Sequence, residues 1–230
     1  MTEVQRVTTP LTHFQMGQAL IVGHRRYFGT GPGRLRLAVA WAHCALEHAA
    51  GAKLYNFNFG NVTAGAKYEG DIYVMKVPPP DPPVLRFRSF ETADEGAIDY
   101  WSMLAGHYRP ALALFDQGAA FDAAIMLGAL GYYTANPASY SRGVVNWFKW
   151  YDRELAASFV DELAEGSGNS SLSQQEIDEV LAKVDATSTQ FRPADAPAGI
   201  AELDELEPIA NRETLPDPDE VPTRVERPKA

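Results

Sequence analysis

The segment running from Leu35 to Glu47, Leu-Arg-Leu-Ala-Val-Ala-Trp-Ala-His-Cys-Ala-Leu-Glu, constrains this chain more than any other. Leu35, Ala38, Ala42, Ala45, Leu46 and Ala49 recur at the three-and-four spacing of a helix that buries one stripe. Arg36, Ala40, His43 and Glu47 step along a neighbouring face. Glu47 therefore points away from the main stripe, toward whatever covers the helix end. The aromatic-amide cluster Tyr55-Asn-Phe-Asn-Phe-Gly-Asn61 follows closely and is the expected cover.

Apolar rings and amide dipoles beside a carboxyl disfavour its charged form and raise its pKa, as a general acid working near neutral pH requires. Glu47 is thus a candidate general acid; the alternative is a solvated glutamate at the end of an amphipathic helix. His43 and Glu47 have the i, i+4 spacing of two metal ligands, but His43-Cys-Ala-Leu-Glu-His48 lacks the His-Glu-x-x-His arrangement. No metal and no cofactor is expected. Cys44 is the only cysteine, which excludes an internal disulfide; between helical alanines it reads as a small buried filler. His13, His24 and His107 are scattered and read as ordinary.

With 46% hydrophobic residues in 230, the chain has enough apolar material for one good core. After about Glu165 the composition turns polar and aromatic residues nearly vanish, so the expected organisation is a folded domain over 1–160 and an acidic, Pro-rich tail over 161–230. Ser173-Gln-Gln-Glu176 is a capping-box signal for a short helix near 173–185, which either folds back or docks on a partner protein. In the folded part, Thr9-Pro10 reads as a helix start before Phe14, Met16, Ala19, Leu20 and Val22. Thr92-Ala-Asp-Glu95 opens a helix carrying Ile98, Trp101 and Leu104. Phe121, Ala124, Ile125, Leu127 and Leu130 mark another, and Pro137 opens a long one through Val144, Val145, Phe148, Tyr151 and Leu155. Residues 71–77 and 84–90 read as one hairpin. The fold class is α+β, mainly α, with one small β-hairpin and a flexible C-terminal tail.

Three separated stretches resemble the lysozyme-like glucosaminidases of glycoside hydrolase family 73, which include the flagellar muramidase-type domain. Ala42-His-Cys-Ala-Leu-Glu47 with Asn56-Phe-Asn-Phe-Gly-Asn61 is similar to the family's alanine-rich helix ending in its acid, followed by an Asn-rich Phe-Gly loop. Residues 87–100, from Phe87-Arg-Ser-Phe to Asp99-Tyr100, resemble its strand running into a helix. Gly131-Tyr-Tyr-Thr-Ala-Asn-Pro-Ala-Ser-Tyr140 resembles the loop that enters its last core helix. Together they span about residues 33–152. The resemblance implies a lysozyme-like lobe that cleaves peptidoglycan glycan strands at β-1,4 bonds between N-acetylated amino sugars. Glu47 takes the general-acid position and Tyr132 that of the family's functional tyrosine. Asn58, Phe59, Gly60, Asn61, Tyr133 and Thr134 take substrate-binding positions.

The region where the family often carries a second acidic residue departs from its pattern. Glu69, Asp71 and Asp81 are the candidate second carboxylates, and none sits in a matching motif. Inverting hydrolysis needs a second carboxylate roughly 6.5–9.5 Å away and a covalent retaining route one at about 5–5.5 Å. Without either, the substrate's acetamido group or 6-hydroxyl is the remaining internal nucleophile, giving substrate-assisted hydrolysis or a lytic transglycosylase.

The N-terminus has no basic region followed by an apolar run and no segment is long enough to span a bilayer. A wall-cleaving enzyme made in the cytoplasm without a signal peptide would reach the bacterial cell wall by lysis, in a phage particle or through a secretion machine. The net charge of −10 disfavours nucleic acid as a partner and gives no attraction to an anionic wall. The rival expectation is a lysozyme-like structural or glycan-binding component of a particle or envelope machine, without catalytic activity.

Overall fold

A computed structural model describes residues 1–76 and 84–160 of the chain. The described residues form α1 (His13–Phe28), α2 (Arg34–Glu47), β1 (Ile72–Lys76), β2 (Val84–Arg88), α3 (Ala93–Ala105), α4 (Arg109–Asp116), α5 (Ala120–Ala129) and α6 (Pro137–Glu154). The two strands pair antiparallel, with Ile72 opposite Arg88 and Lys76 opposite Val84. This is the mainly helical α+β fold with one hairpin that the sequence predicts. The expected tail, its helix near 173–185 and Asp81 lie outside the described residues. No helix among the described residues is long and apolar enough to cross a membrane.

α2 is the centre of the domain. Every residue from Arg36 to Ala45 is buried, because α1, α4 and α6 pack around it and its alanines let them approach. Leu35, expected on the buried stripe, is 44% exposed, whereas Leu37, Val39 and Trp41 are completely buried. A helix covered on several sides has no single stripe, so periodicity misjudged which positions face out. Trp41 stacks on Trp150 of α6 at 5.3 Å and donates its indole N–H to the His13 carbonyl at 3.1 Å. A buried aromatic of this size removes about 150–250 Å2 from water, on the order of 4–6 kcal/mol at 25 cal/mol per Å2. That fixes how α2 sits against α6.

Arg36 is the polar exception on α2. Its guanidinium makes two bonds to the Asp116 carboxylate of α4, at 2.5 and 2.7 Å, and a third at 2.9 Å to His24 Nε2 of α1. His24 Nδ1 lies 2.7 Å from the Thr30 carbonyl, which takes its proton and leaves Nε2 as the acceptor for Arg36. Burial and the Arg36 charge hold His24 down to about 4, in keeping with a neutral ring.

Several element boundaries differ from expectation. The first helix is capped by Thr12, in a reciprocal box with Gln15, and not by Thr9; Thr9 instead pairs with Leu54 through its backbone N–H. α4 was not anticipated at all. Phe121, expected to be inward, is 44% exposed, and α6 stops at Glu154 before a 3-10 turn at Ala156–Phe159. Thr92 caps α3 through the box with Glu95 as predicted. An N-terminal arm adds what periodicity missed: Val4 and Thr2 bond to Ile72 of β1, and Val7 to Asn56.

Candidate active site

Glu47 is the last residue of α2, where helix geometry leaves carbonyls without partners. Asn61 Nδ2 supplies one, donating to the Glu47 backbone carbonyl at 2.6 Å, and lies 3.3 Å from the side-chain Oε2. Oε1 accepts from the Tyr140 hydroxyl of α6 and lies 4.0 Å from His43 Nε2, one turn back on α2. The Glu47 side chain is 15% exposed. Burial pushes its carboxyl above the ordinary range; the Tyr140 and Asn61 hydrogen bonds pull the other way with less effect. The environment favours the protonated form of a carboxyl that still touches the surface.

The aromatic loop reaches Glu47 by an unusual backbone path. Ala49, Ala50, Asn56, Phe57 and Asn61 all have φ between 46° and 52°, in the left-handed region that side chains disfavour. These are the positive-φ non-glycine residues of the described part, and they all fall between Glu47 and the end of the loop. Tertiary contacts hold them there. Asn56 accepts from Val7 N–H and donates to the Gln5 carbonyl and Ser89. The Phe57 carbonyl presses on Gly96 of α3 so closely that a Cβ at 96 would sit 1.8 Å from it.

The tyrosines approach from the α5–α6 connection, which turns at Gly131 with φ 83°. Tyr132 donates its hydroxyl to the Gly60 carbonyl, fastening this connection to the aromatic loop. Tyr133 stacks on Tyr140 with ring centroids 3.7 Å apart and donates to the Ala124 carbonyl at 2.9 Å. Asn136 caps α6 by accepting from Ser139 N–H, so Tyr140 stands on the first turn of a well-started helix.

Beside this cluster lies a cleft of about 370 Å3, with Gly60, Asn61, Val62 and Thr63 on its loop side and Arg88, Ser102, Met103, Tyr108 and Tyr132 elsewhere on its lining. Glu47 stands one layer behind the lining, in contact with it through Asn61. Gly60, Asn61 and Tyr132 are the expected positions that the structure brings to the cleft. Asn58 and Phe59 are not available to a ligand, each being 1% exposed. The Asn58 carboxamide bonds to Val62 N–H and to the carbonyls of Val62 and Arg88, which shapes the loop from inside. Phe59 packs against His48 in the core. Tyr133 and Thr134 stand outside the lining, Tyr133 supporting Tyr140 and Thr134 exposed.

Glu69 and Asp71 are exposed and neither lines the cleft. Asp99 of α3, which sequence reasoning passed over, bonds to cleft-lining Arg88 at 2.6 Å. Burial raises its carboxyl while Arg88 draws it back. Tyr140 was also missed as a partner of Glu47; its position at the end of the Gly131–Tyr140 motif was the available signal. Among the described residues no group of three His, Cys, Asp or Glu is placed to hold a metal ion.

No protein-family model matches the chain, and no curated protein matches it. Among solved structures it is similar to the glycoside hydrolase domain of Salmonella typhimurium FlgJ, at 19% identity and a TM-score of 0.45 over 67% of this chain and 99% of that one. A C-terminally truncated form of that domain gives 20% and 0.46, over 61% and 97%. A peptidoglycan hydrolase from Sphingomonas sp. A1 gives 17% and 0.46, over 69% and 96%. At these values the likeness is distant, and the chemistry has to come from the site's own residues.

Proposed function

We propose that the chain is a peptidoglycan glycosidase that cleaves β-1,4 bonds between N-acetylated amino sugars, with Glu47 as general acid. The observation that carries this reading is the Glu47 carboxyl itself. It is held by Tyr140 and Asn61, raised by burial and set at the back of a cleft that Tyr132 and the Gly60–Asn61 turn line. A protonated carboxyl donates to the glycosidic oxygen as the bond to the anomeric carbon breaks, and becomes a carboxylate. Oε1 faces the Tyr140 donor, which leaves Oε2, on the Asn61 side, to carry the proton. Asn61 has to turn aside for the sugar oxygen to reach it.

Among the described residues Glu69 and Asp71 stay outside the cleft, which suits a route without a second enzymic carboxylate; the third candidate, Asp81, lies outside the described residues. The substrate's acetamido group or 6-hydroxyl then attacks the anomeric centre, giving substrate-assisted hydrolysis or an anhydro product. The same observation favours the second reading, a glycan-binding component of a phage particle or secretion machine that retains the fold without the reaction. Docking through residues 161–230 suits either reading.

Loss of turbidity of purified cell walls separates them. Wild type should clear walls and Glu47→Gln should not. Equal clearing by both removes Glu47 from the acid role; binding without clearing by wild type establishes the non-catalytic component. Mass spectrometry of the fragments then distinguishes reducing from anhydro ends.

A further inference from the structure

His43 is completely buried, one helical turn before Glu47, and its ring meets aromatic side chains from four other parts of the fold, Phe115 of α4 among them at 6.4 Å. It stacks on Tyr100 of α3 at 5.8 Å, meets Tyr132 edge-on at 4.8 Å and lies 6.3 Å from Tyr140 of α6. Nδ1 is 2.8 Å from the Tyr100 hydroxyl. Nε2 has no hydrogen-bond partner among the described residues, and it is the atom that faces Glu47 Oε1 at 4.0 Å. A buried donor or acceptor left unmatched is costly, so one aimed at a reacting group calls for a reason.

The tautomer decides what Nε2 can offer. With the Tyr100 hydroxyl donating to Nδ1 across the 2.8 Å contact, the imidazole proton is on Nε2. Burial and the neighbouring His48 keep His43 neutral, down to about 3.

We propose that His43 is a positioning residue that holds its Nε2–H in reserve for Glu47 and completes a hydrogen bond to Oε1 when the carboxyl has given up its proton. The proposal rests on Glu47 as the acid. While Glu47 is protonated, the 4.0 Å separation is a contact without a bond. Once Oε1 and Oε2 share a negative charge, the donor is drawn in and joins Tyr140 and Asn61. No proton leaves His43: the only transfer is from Glu47 to the glycosidic oxygen. The groups facing Glu47 are then Tyr140 from α6, Asn61 from the loop and His43 from its own helix. Tyr132 and Tyr133 of the α5–α6 connection, Tyr100 of α3 and Cys44 of α2 lie close enough for the Glu47 charge to disfavour their ionisation. A donor that bonds only the ionised form stabilises the late transition state more than the ground state, which is the interaction that raises kcat.

The test compares His43→Leu, which removes the donor, with His43→Gln, which keeps an N–H on a side chain of similar reach. Carbon-13 NMR of the Glu47 carboxyl gives its titration directly, whether or not walls are cleaved. His43→Leu should move the Glu47 titration to higher pH and lower kcat about tenfold or more with KM little changed, and His43→Gln should restore most of both. A Glu47 titration unmoved in folded His43→Leu overturns the proposal. Should His43→Leu fail to fold, nitrogen-15 shifts of the wild-type imidazole decide: an Nε2–H tautomer supports the proposal and an Nδ1–H tautomer overturns it. Failure of the wild type to clear walls would instead remove the catalytic reading, with the His43–Glu47 coupling still measured.

Discussion

Gly96→Ala puts the loop that carries Asn61 under direct pressure. A Cβ on residue 96 would lie 1.8 Å from the Phe57 carbonyl oxygen and 2.9 Å from its carbon, against a floor of 3.0 Å that real Cβ atoms respect, so the gap has to open by about 1.2 Å. The obstacle is backbone on both sides, since Gly96 belongs to α3 and Phe57 is pinned at φ 51° between Asn56 and Asn58. Neither can rotate away as a flexible side chain would. Overpacking of this kind costs about 1–3 kcal/mol, a loss of roughly 5 °C in melting temperature for a domain of this size. The larger effect falls on the site. Moving the loop by an ångström takes Asn61 off Glu47 and Gly60 off Tyr132, and a misplacement of that size costs roughly a hundredfold in rate. Gly33→Ala is the control, because a Cβ there meets nothing within 4 Å. Wall clearing and thermal melts of the two variants and wild type provide the comparison. If Gly96→Ala clears walls and melts like Gly33→Ala, the close approach of α3 does not set the loop and the reasoning fails.

Two further outcomes are expected. Tyr140→Phe removes the hydroxyl that donates to Glu47 Oε1; at about 1.5–3 kcal/mol for a bond to a charged group, clearing should slow about 10- to 100-fold. Because the carboxylate is then less stabilised, the basic limb of the pH–rate profile should move to higher pH, and an unshifted limb would contradict the assignment. In urea titrations, stability should fall as pH drops from about 6.5, the value of free histidine. Burial first of all depresses His24 and His48 to about 4, so their contribution is complete above the unfolded value and is lost as pH falls through the folded one. His24→Gln should flatten part of this dependence, and a dependence identical to wild type would exclude His24 as a source.

The parts of this site that were legible in the sequence are those fixed by local rules. Glu47 could be placed because the helix that ends in it is apolar almost throughout, and Thr92-Ala-Asp-Glu95 marked α3 because a capping box is a short-range device. Leu35 and Phe121 were misjudged because their exposure depends on which neighbours cover α2 and α5, and no local pattern carries that. α4 escaped because eight residues, Arg-Pro-Ala-Leu-Ala-Leu-Phe-Asp, are too short for helical periodicity to stand out from a continuous apolar run. Asn58 looked like a sugar-facing amide because its composition gives no hint of direction; its bonds to Val62 and Arg88 come from the chain folding back on itself. Tyr140 and Glu47 are separated by 93 positions in the chain, and only the packing of α6 on α2 makes them partners.

The left-handed backbone between Glu47 and Asn61 sets a conflict for anyone seeking a hardier version of this protein. Ala49, Ala50 and Phe57 there are each held in a conformation that costs about 1–2 kcal/mol relative to an ordinary one. Glycine at Ala50 would release that energy and raise heat tolerance, but it would also give the loop freedom to wander. Breeding for endurance and breeding for turnover therefore pull this short stretch in opposite directions, and a thermostable descendant is best sought by changes elsewhere in the fold.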